Sequence, residues 1–335
     1  MRSTEFKKTI ENSFPCQVGI IKARIFTELR QSLQKYQKIN HDLQIVENNI
    51  DKRINPFLLY KAVKSIIVVS FPYVSKAQAL ENKSHVVSRS SWGLDYHIVL
   101  KDKLKAVLEI LESNNKTGII LSDNHPLPEK HLAYLAGLGN YGKNTLLINP
   151  QYGSFFFIGL ILTDMEFSDY DTPKYEDICQ SCNLCLKACP TGAISEARYL
   201  NVGRCMSYLT QSKALIPEAF LGKFVKFTFG CDLCQSACVY NNRDDIPVLN
   251  EFIPRGLEVV KVKNLQNLSN KDFKEKYKTL AASYRGKNVL LRNAILVSAN
   301  RFDKADLQDL AKTHPKANKY LQQAINYANN KLKKE

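Results

Sequence analysis

The stretch CQSCNLCLKACP, residues 179–190, decides the fold of this chain. It places cysteines at Cys179, Cys182, Cys185 and Cys189, and Pro190 follows the last of them. In this spacing three thiolates hold one 4Fe-4S cluster from a single loop, and the cysteine before the proline ligates a neighbouring cluster. The stretch therefore predicts a domain with two iron–sulfur clusters.

A second group of cysteines supplies the remaining ligands, at Cys205, Cys231, Cys234 and Cys238. Because the cysteine before proline serves the other cluster, the predicted ligand sets are crossed. The first cluster takes Cys179, Cys182, Cys185 and Cys238. The second takes Cys205, Cys231, Cys234 and Cys189. The alternative is a pair of structural zinc sites, but closely spaced cysteines ending in Cys-Pro are a poor zinc pattern.

Cysteine usage also indicates the compartment. Eight of the nine cysteines belong to the two groups, and only Cys16 stands apart, beside an apolar run, as a small buried hydrophobe. The start of the chain has no apolar signal segment, and no stretch approaches the roughly 18 apolar residues of a membrane helix. We expect a cytoplasmic protein that uses its thiols for metal and does not bind a membrane.

The 335 residues separate into three regions by pattern. Residues 1–171 alternate helical segments with β-rich runs at 65–70, 118–121, 145–148 and 154–163, which predicts a mixed α and β domain around one sheet. Residues 172–248 carry the cysteines and few long apolar runs, so metal is expected to hold them. Residues 249–335 show helical apolar spacing, including Leu307, Leu310 and Ala311, which predicts two or three amphipathic helices in a short HEAT-like tail.

The net charge of +15 is concentrated in the tail. Residues 255–335 contain 18 Lys and Arg against 7 Asp and Glu, a net +11, interleaved with Tyr277, Tyr284, Tyr320 and Tyr327. A basic and aromatic segment of this kind favours binding to nucleic-acid phosphates. The alternative is a solvated helical face.

Two motifs in the first region invite nucleotide or cobalamin assignments that their context rejects. Gly137-x-Gly139-x-x-Gly142-Lys143 has the letters of a dinucleotide loop, but a helix is predicted before it and a strand after it, the reverse of the required order. Asp95-Tyr96-His97 resembles the start of the D-x-H-x-x-G cobalamin signature, yet Leu100 replaces the glycine. We interpret His97 as a structural residue.

Asp123 follows the β run at 118–121, where a strand gives way to a loop. Carboxylates at such strand ends often face ligand crevices. Partial desolvation would raise the pKa of Asp123 and allow it to donate a proton near neutral pH. Without further context it is interpreted as a turn-forming residue.

The ordered motifs together resemble the cobalamin-dependent epoxyqueuosine reductases, iron–sulfur enzymes that complete the queuosine base in tRNA. The resemblance covers nearly the full chain. It is carried by SRSSWGLDYH (88–97), DNHPLPE (123–129), AGLGNYGKN (136–144), YGSFFF (152–157), CPTGAI (189–194), RCMSYLT (204–210) and FGCDLCQ (229–235). The cysteine region alone is generic, whereas this series in this order is specific.

The resemblance implies an α+β architecture of three parts. These are a nitroreductase-like cobalamin-binding domain (1–171), a ferredoxin-like domain with two 4Fe-4S clusters (172–248) and a basic HEAT-like tRNA-binding tail (249–335). It also implies that electrons pass through the clusters to base-off cobalamin. The reduced Co(I) attacks the epoxide-bearing ring, and a carboxylic acid supplies a proton as oxygen leaves as water.

Site residues follow from the same resemblance. Asp123 matches the proton donor. The implied corrinoid contacts are Arg53, Ser88, Asp123, Asn144, Ser207 and Asp232. Lys213 lies where the family approaches its tRNA. The expected partners are tRNA carrying epoxyqueuosine and a low-potential electron donor, and the expected state is a monomer.

Two alternatives differ in class. One is a small electron-transfer protein that feeds a separate reductase, although the large β-rich first region argues against so simple a role. The other is a reductive dehalogenase-like corrinoid enzyme for a small molecule. An enzyme for a small molecule would gain nothing from a tail with a net charge of +11, and such enzymes are typically exported.

Overall fold

The computed structural model describes residues 2–40, 47–73, 78–195, 198–242, 246–307 and 318–333. Leu310 and Ala311 of the predicted tail pattern lie outside these residues. The α-helices are α1 Ser3–Ser13, α2 Arg30–Ile39, α3 Ile50–Ile54, α4 Gln78–Glu81, α5 Tyr96–Glu112, α6 Glu129–Leu135, α7 Leu184–Ala188, α8 Met206–Gln211, α9 Glu218–Leu221, α10 Leu233–Ser236, α11 Val262–Leu265, α12 Asn270–Tyr277, α13 Lys287–Asn300 and α14 Lys319–Leu332. The strands are β1 Gln17–Lys22, β2 Ser65–Pro72, β3 Val86–Val87, β4 Gly118–Leu121, β5 Asn140–Tyr141, β6 Leu147–Ile148, β7 Phe156–Thr163, β8 Ile194–Ser195, β9 Tyr199–Leu200 and β10 Phe227–Phe229.

An antiparallel sheet in the order β1-β2-β7-β4 organises the first region. Successive residues of β2 point to opposite faces, so Ile67 and Val69 pack with α1 and α5, and Ile66 and Val68 pack with α2 and α6. Helices thus cover both faces, which explains why every residue of β2 is buried. The predicted mixed α and β domain around one sheet is confirmed.

The strand predictions hold for β2, β4 and β7, and two details differ. The run at 145–148 forms only the short β6, which pairs with β5 in a small hairpin. The apolar run beside Cys16 is the edge strand β1, which sequence reasoning did not assign as a strand. This run forms a strand because it hydrogen-bonds to β2, although its buried and exposed residues do not alternate.

The cysteine-rich region shares its core with the tail. Its apolar residues, among them Leu209, Phe224 and Phe229, pack with α13 and α14 and with Val87 and Trp92 of the first region. The parallel pairing of β10 with β3 strengthens this contact. Packing against the first region and the tail therefore stabilises the cysteine-rich region, which has few long apolar runs of its own.

The tail departs from the amphipathic prediction at α13. Residues 289–299 of this helix are all buried, including Arg292 and Asn293, whereas α14 keeps one buried and one exposed face. Arg292 donates to the carbonyl oxygens of Leu209 and Ser212 at 2.8 and 2.6 Å. One of the basic residues of the tail therefore ties α13 to the end of α8.

Candidate cluster sites and active-site cavity

The eight clustered cysteines line two separate spaces. A small cavity of about 90 Å³, here the cluster pocket, is lined by Cys179, Cys182, Cys185 and Cys238. A larger cavity, here the central cavity, has Cys189, Cys205, Cys231 and Cys234 in its wall. The structure thus brings the cysteines together in the same two groups as the predicted crossed sets.

Short helices arrange each group. The helices α7 and α10 each lie within a cysteine loop and pack against one another. Backbone amides of Lys143 and Ala193 donate to the sulfur atoms of Cys179 and Cys189 at 3.4 and 3.3 Å. Such donors stabilise thiolate ligands. Over the described residues, no three His, Cys, Asp or Glu side chains converge as a single metal ion requires.

The central cavity, about 840 Å³, collects most of the predicted cofactor contacts. Its wall includes Ser88, Asn144, Ser207, Asp232 and the candidate tRNA contact Lys213. One cysteine group and these polar side chains therefore face the same space. Ser88 and Asp232, more than 140 positions apart in sequence, meet here because β10 lies beside β3.

Asp232 is a buried carboxyl group between two cysteines. It accepts the Arg89 amide hydrogen at 2.7 Å. Burial raises the pKa of Asp232 to about 6, although the Arg89 amide and nearby cations oppose the rise. A carboxyl group held in this way near a cavity wall can exchange a proton or a hydrogen bond with a polar ligand close to neutral pH.

Ser88 and Gly230 meet at the wall of the central cavity. Gly230 has φ of +67°, and a Cβ on it would lie 2.0 Å from the Ser88 hydroxyl oxygen. Glycine is therefore required immediately before Cys231. Asn144 is buried, and its amide nitrogen lacks a hydrogen-bond partner among the described residues.

A second cavity of about 710 Å³, here the side cavity, adjoins the central cavity and shares Lys130, Thr145 and Leu200 with it. Arg53 and Asp123 line the side cavity. The Nε of Arg53 is buried without a hydrogen-bond partner in the described part of the chain, and burial lowers the pKa of this guanidinium. Arg53 and Asp123 are thus separated from the other predicted contacts.

Asp123 stands in a tight loop after β4, and both it and Asn124 adopt left-handed backbone angles, with φ of +51° and +50°. Its side chain is half exposed. The Tyr96 hydroxyl donates to Asp123 Oδ2, and His97 Nε2 lies 3.4 Å from the same oxygen. Asp95 contacts the other ring nitrogen of His97 at 2.8 Å.

These contacts overturn the expected pKa shift of Asp123. The hydrogen bond from His97 holds the pKa of Asp123 well below its ordinary value and outweighs the opposing effect of burial. The Tyr96 hydroxyl and the Asn124 amide lower it further. Hydrogen bonds to Asp123 and Asp95 raise the pKa of His97 to about 9. The predicted rise was wrong, because desolvation is the weaker influence at this half-open site.

Sequence reasoning missed the partners of Asp123. His97 was interpreted as a structural residue, and Tyr96 and Glu129 were given no role. Glu129 accepts the Asp123 amide hydrogen at 2.9 Å and contacts His125 at 2.8 Å. The spacing Asp123-x-x-Pro126-x-x-Glu129 was the available signal, because it lets the first residue of α6 bind back to the loop.

The glycine motif does not form a phosphate loop. It follows α6 and leads into the β5-β6 hairpin, in the predicted order of helix before strand. A Cβ on Gly139 would lie 2.6 Å from the Ile148 carbonyl oxygen. The glycine therefore serves close backbone approach within the hairpin.

Comparison with known protein families identifies the class of this protein. The family model of the 4Fe-4S double cluster binding domain matches residues 178–241, which contain both cysteine groups. No helix in the described ranges is long and apolar enough to cross a membrane. A double-cluster domain joined to this α/β domain, with a cavity beside one cysteine group, defines an iron–sulfur oxidoreductase.

The family model of epoxyqueuosine reductase QueG, DUF1730, matches residues 53–123. An epoxyqueuosine reductase of Bacillus anthracis is 36% identical over 305 residues, covering 88% of this chain and 79% of the relative. This chain belongs to the epoxyqueuosine reductase family.

Two solved structures from the family share the fold. One is an epoxyqueuosine reductase with an epoxyqueuosine-modified tRNA-Tyr stem loop, with 31% identity, a TM-score of 0.89 and coverage of 99% of this chain and 94% of that one. The other, from Bacillus subtilis, has its catalytic Asp loop swung out of the active site. It shows 32% identity, a TM-score of 0.89 and coverage of 98% and 90%.

Proposed function

We propose that this protein reduces epoxyqueuosine to queuosine in the anticodon loop of tRNA, the last step of queuosine biosynthesis. One observation carries the proposal beyond family membership. One of the two cysteine groups forms part of the wall of the central cavity, and that cavity adjoins the space lined by Asp123. Electrons delivered at the central cavity and a proton delivered from Asp123 at the side cavity can therefore reach adjoining parts of one site.

The electron route begins at the cluster pocket. We propose that Cys179, Cys182, Cys185 and Cys238 bind one 4Fe-4S cluster and that Cys189, Cys205, Cys231 and Cys234 bind the other. Cys182 is exposed, whereas Cys231 and Cys234 face the central cavity. The first cluster would accept electrons from a low-potential donor, and the second would pass them inward.

We propose that the central and side cavities hold base-off cobalamin, and the chemistry of their donors supports this. Buried nitrogen donors without partners in the described residues, on Asn144 and Arg53, suit the amide and phosphate oxygens of a corrinoid. Ser88, Ser207 and Asp232 add polar contacts at the wall. When bound, cobalamin supplies a strongly reducing, nucleophilic cobalt for attack on the epoxide-bearing ring. Residues 1–171 would then form a nitroreductase-like cobalamin-binding domain.

The proton supply rests on Asp123 and its neighbours. Removing the epoxide oxygen as water consumes two electrons and two protons. In this conformation Asp123 is a carboxylate that accepts hydrogen bonds from Tyr96 and His97. His97 therefore holds one proton, and we propose that it passes this proton to Asp123, which donates it to the leaving oxygen. The second proton would enter the pair from solvent water at the half-exposed Asp123 side chain.

His97→Gln is expected to move the alkaline limit of turnover to lower pH. In the wild type the Asp123–His97 pair keeps its proton until pH rises through the raised pKa of His97, about 9. Glutamine hydrogen-bonds to Asp123 but cannot hold a titrating proton, so the carboxyl group alone would carry it. The pH–rate profile measures the limit, and an unchanged profile would contradict the relay.

The same pair affects stability. Its contribution is full between the ordinary pKa values of aspartate, about 3.9, and histidine, about 6.5. It is lost as pH rises through about 9, where His97 loses its charge. Thermal unfolding of wild type and His97→Gln should therefore converge at high pH.

The tRNA would approach the mouth of the central cavity. Lys213 is exposed there, and we propose that it contacts a backbone phosphate. Residues 249–335 would form the HEAT-like tail that supports this contact, next to the ferredoxin-like residues 172–248. The +11 charge of residues 255–335 supports electrostatic attraction of the RNA.

The deciding experiment is incubation of the reduced protein with epoxyqueuosine-containing tRNA, with and without cobalamin, followed by nucleoside mass spectrometry. We expect loss of one oxygen atom from the modified nucleoside only when cobalamin is present. Turnover without cobalamin would remove the cofactor from the proposal. No turnover by protein with both clusters and cobalamin would overturn the function.

A further inference from the structure

The four tail tyrosines that suggested nucleic-acid binding have different surroundings. Tyr277 is buried, and Tyr320 and Tyr327 are half-buried against the tail core. Tyr284 alone among these four is exposed, with 62% of its surface accessible. Of these four tyrosines, only Tyr284 is therefore open to contact with nucleic acid.

The ring of Tyr284 is exposed but held in place. Its hydroxyl group donates to Gln211 Oε1 at 2.6 Å. Its ring meets Phe229 edge-on, with centroids 6.0 Å apart, and the Arg285 guanidinium lies 5.2 Å from its centroid. An ordered aromatic face loses little conformational entropy when a planar ligand stacks on it.

The position of Tyr284 is as informative as its exposure. Tyr284 and Arg285 belong to the 3₁₀ turn Ala281–Arg285, and both line the central cavity with Lys213. The ring therefore stands at the same cavity as the cysteine group Cys189, Cys205, Cys231 and Cys234.

Side-chain hydrogen bonds fix this turn to the cysteine-rich region. Arg285 Nε donates to the Gln211 carbonyl oxygen at 2.6 Å, and Gln211 ends α8, which begins directly after Cys205. Lys213 follows two residues after Gln211. An aromatic face and two cations are thus held in a defined arrangement.

We propose that Tyr284 is a stacking platform for one unpaired base of the anticodon loop, with Arg285 and Lys213 on adjacent phosphates. The inference rests on the proposed tRNA substrate and adds a positioning residue for it. Sequence-specific RNA recognition uses splayed bases stacked on aromatic rings, and such stacking tolerates any base. Stacking a neighbour of the modified nucleotide would orient that nucleotide into the central cavity.

The test uses the full protein with both clusters and a synthetic anticodon stem-loop RNA that carries 2-aminopurine next to the wobble position. Tyr284→Leu is expected to weaken binding by roughly 5- to 150-fold, the range for loss of one stacked base. The dependence of affinity on salt should stay as in the wild type. Wild-type protein should quench the 2-aminopurine fluorescence, and Tyr284→Leu should not.

Matched variants separate stacking from other effects. Tyr284→Phe keeps the ring and loses only the bond to Gln211, so it should retain quenching and most of the affinity. Arg285→Gln and Lys213→Gln should each reduce the salt slope by about 0.7, the value for one phosphate contact on a single strand. Phe302→Leu alters an exposed aromatic residue of the tail away from the cavity and should bind as the wild type does.

Three other outcomes of these experiments would overturn the stacking platform. Wild-type affinity and quenching in Tyr284→Leu would overturn the platform while leaving the tRNA substrate intact. Equal losses in Tyr284→Phe and Tyr284→Leu would also overturn it, since the hydroxyl contact would then explain the loss. Absence of binding by the wild type would overturn the proposed substrate and this inference with it.

Discussion

Asp123→Asn is expected to lower turnover of epoxyqueuosine by roughly 10²- to 10⁴-fold, the usual contribution of a positioned general acid. Asparagine has the shape of aspartate and can still accept the Tyr96 hydroxyl hydrogen, so the loop should keep its position. It cannot carry the proton that His97 would pass on. Single-turnover rates with reduced enzyme measure the effect.

The control for this variant is Asp102→Asn. Asp102 lies on α5, the same helix as Tyr96 and His97, and 74% of its side chain is exposed. It should leave turnover unchanged. Iron content and the corrinoid absorption spectrum should match the wild type in both variants. Undiminished turnover in Asp123→Asn would remove Asp123 from the proton-donor role, and loss of either cofactor would show a structural function instead.

Cys238→Ala is expected to remove the cluster bound by Cys179, Cys182 and Cys185, and with it nearly all turnover. Iron should fall from about eight to about four atoms per chain, because a 4Fe-4S cluster needs its fourth thiolate. Cys238 affects this cluster because it lines the cluster pocket together with three cysteines that lie more than 50 residues earlier in the chain. Iron analysis and low-temperature electron paramagnetic resonance measure the loss.

Double variants test whether the ligand sets are crossed. Cys179→Ala with Cys238→Ala should lose no more iron than either single variant, since both residues would serve one cluster. Cys179→Ala with Cys189→Ala should lose both clusters, since these residues would serve different clusters. Cys16→Ala is the control, because Cys16 lies outside both groups and burial raises the pKa of its thiol to about 12. The opposite pattern of losses would establish uncrossed sets, and zinc in place of iron would overturn both.

Several features were predictable because they depend on local spacing. The cysteine run 179–190 sets the geometry of three ligands within one loop, so it indicates a cluster whatever surrounds it. The β runs at 65–70, 118–121 and 154–163 are apolar on both faces, which is typical of strands covered by helices on each side. The order of helix and strand around Gly139 likewise excluded a phosphate loop.

Other features could not be obtained from spacing. The basic count of the tail includes Arg292, yet this residue lies in the core and binds carbonyl oxygens at the end of α8. Tyr277 and Tyr284 are seven residues apart in the same segment, but one is buried and the other lines the central cavity. Exposure depends on which surfaces pack together, and composition does not record that.

The sequence by itself determined the double-cluster chemistry, the sheet and the family, because each rests on short-range patterns of ligands or apolar residues. Only the tertiary structure decided the state of Asp123, whose pKa is lowered by His97 on a different element. It also decided that Asp232 and Ser88 share a cavity wall with the cysteines and that Tyr284 stands at that cavity. Electrostatic and packing effects act through space over a few ångströms, so residues far apart in the chain set them.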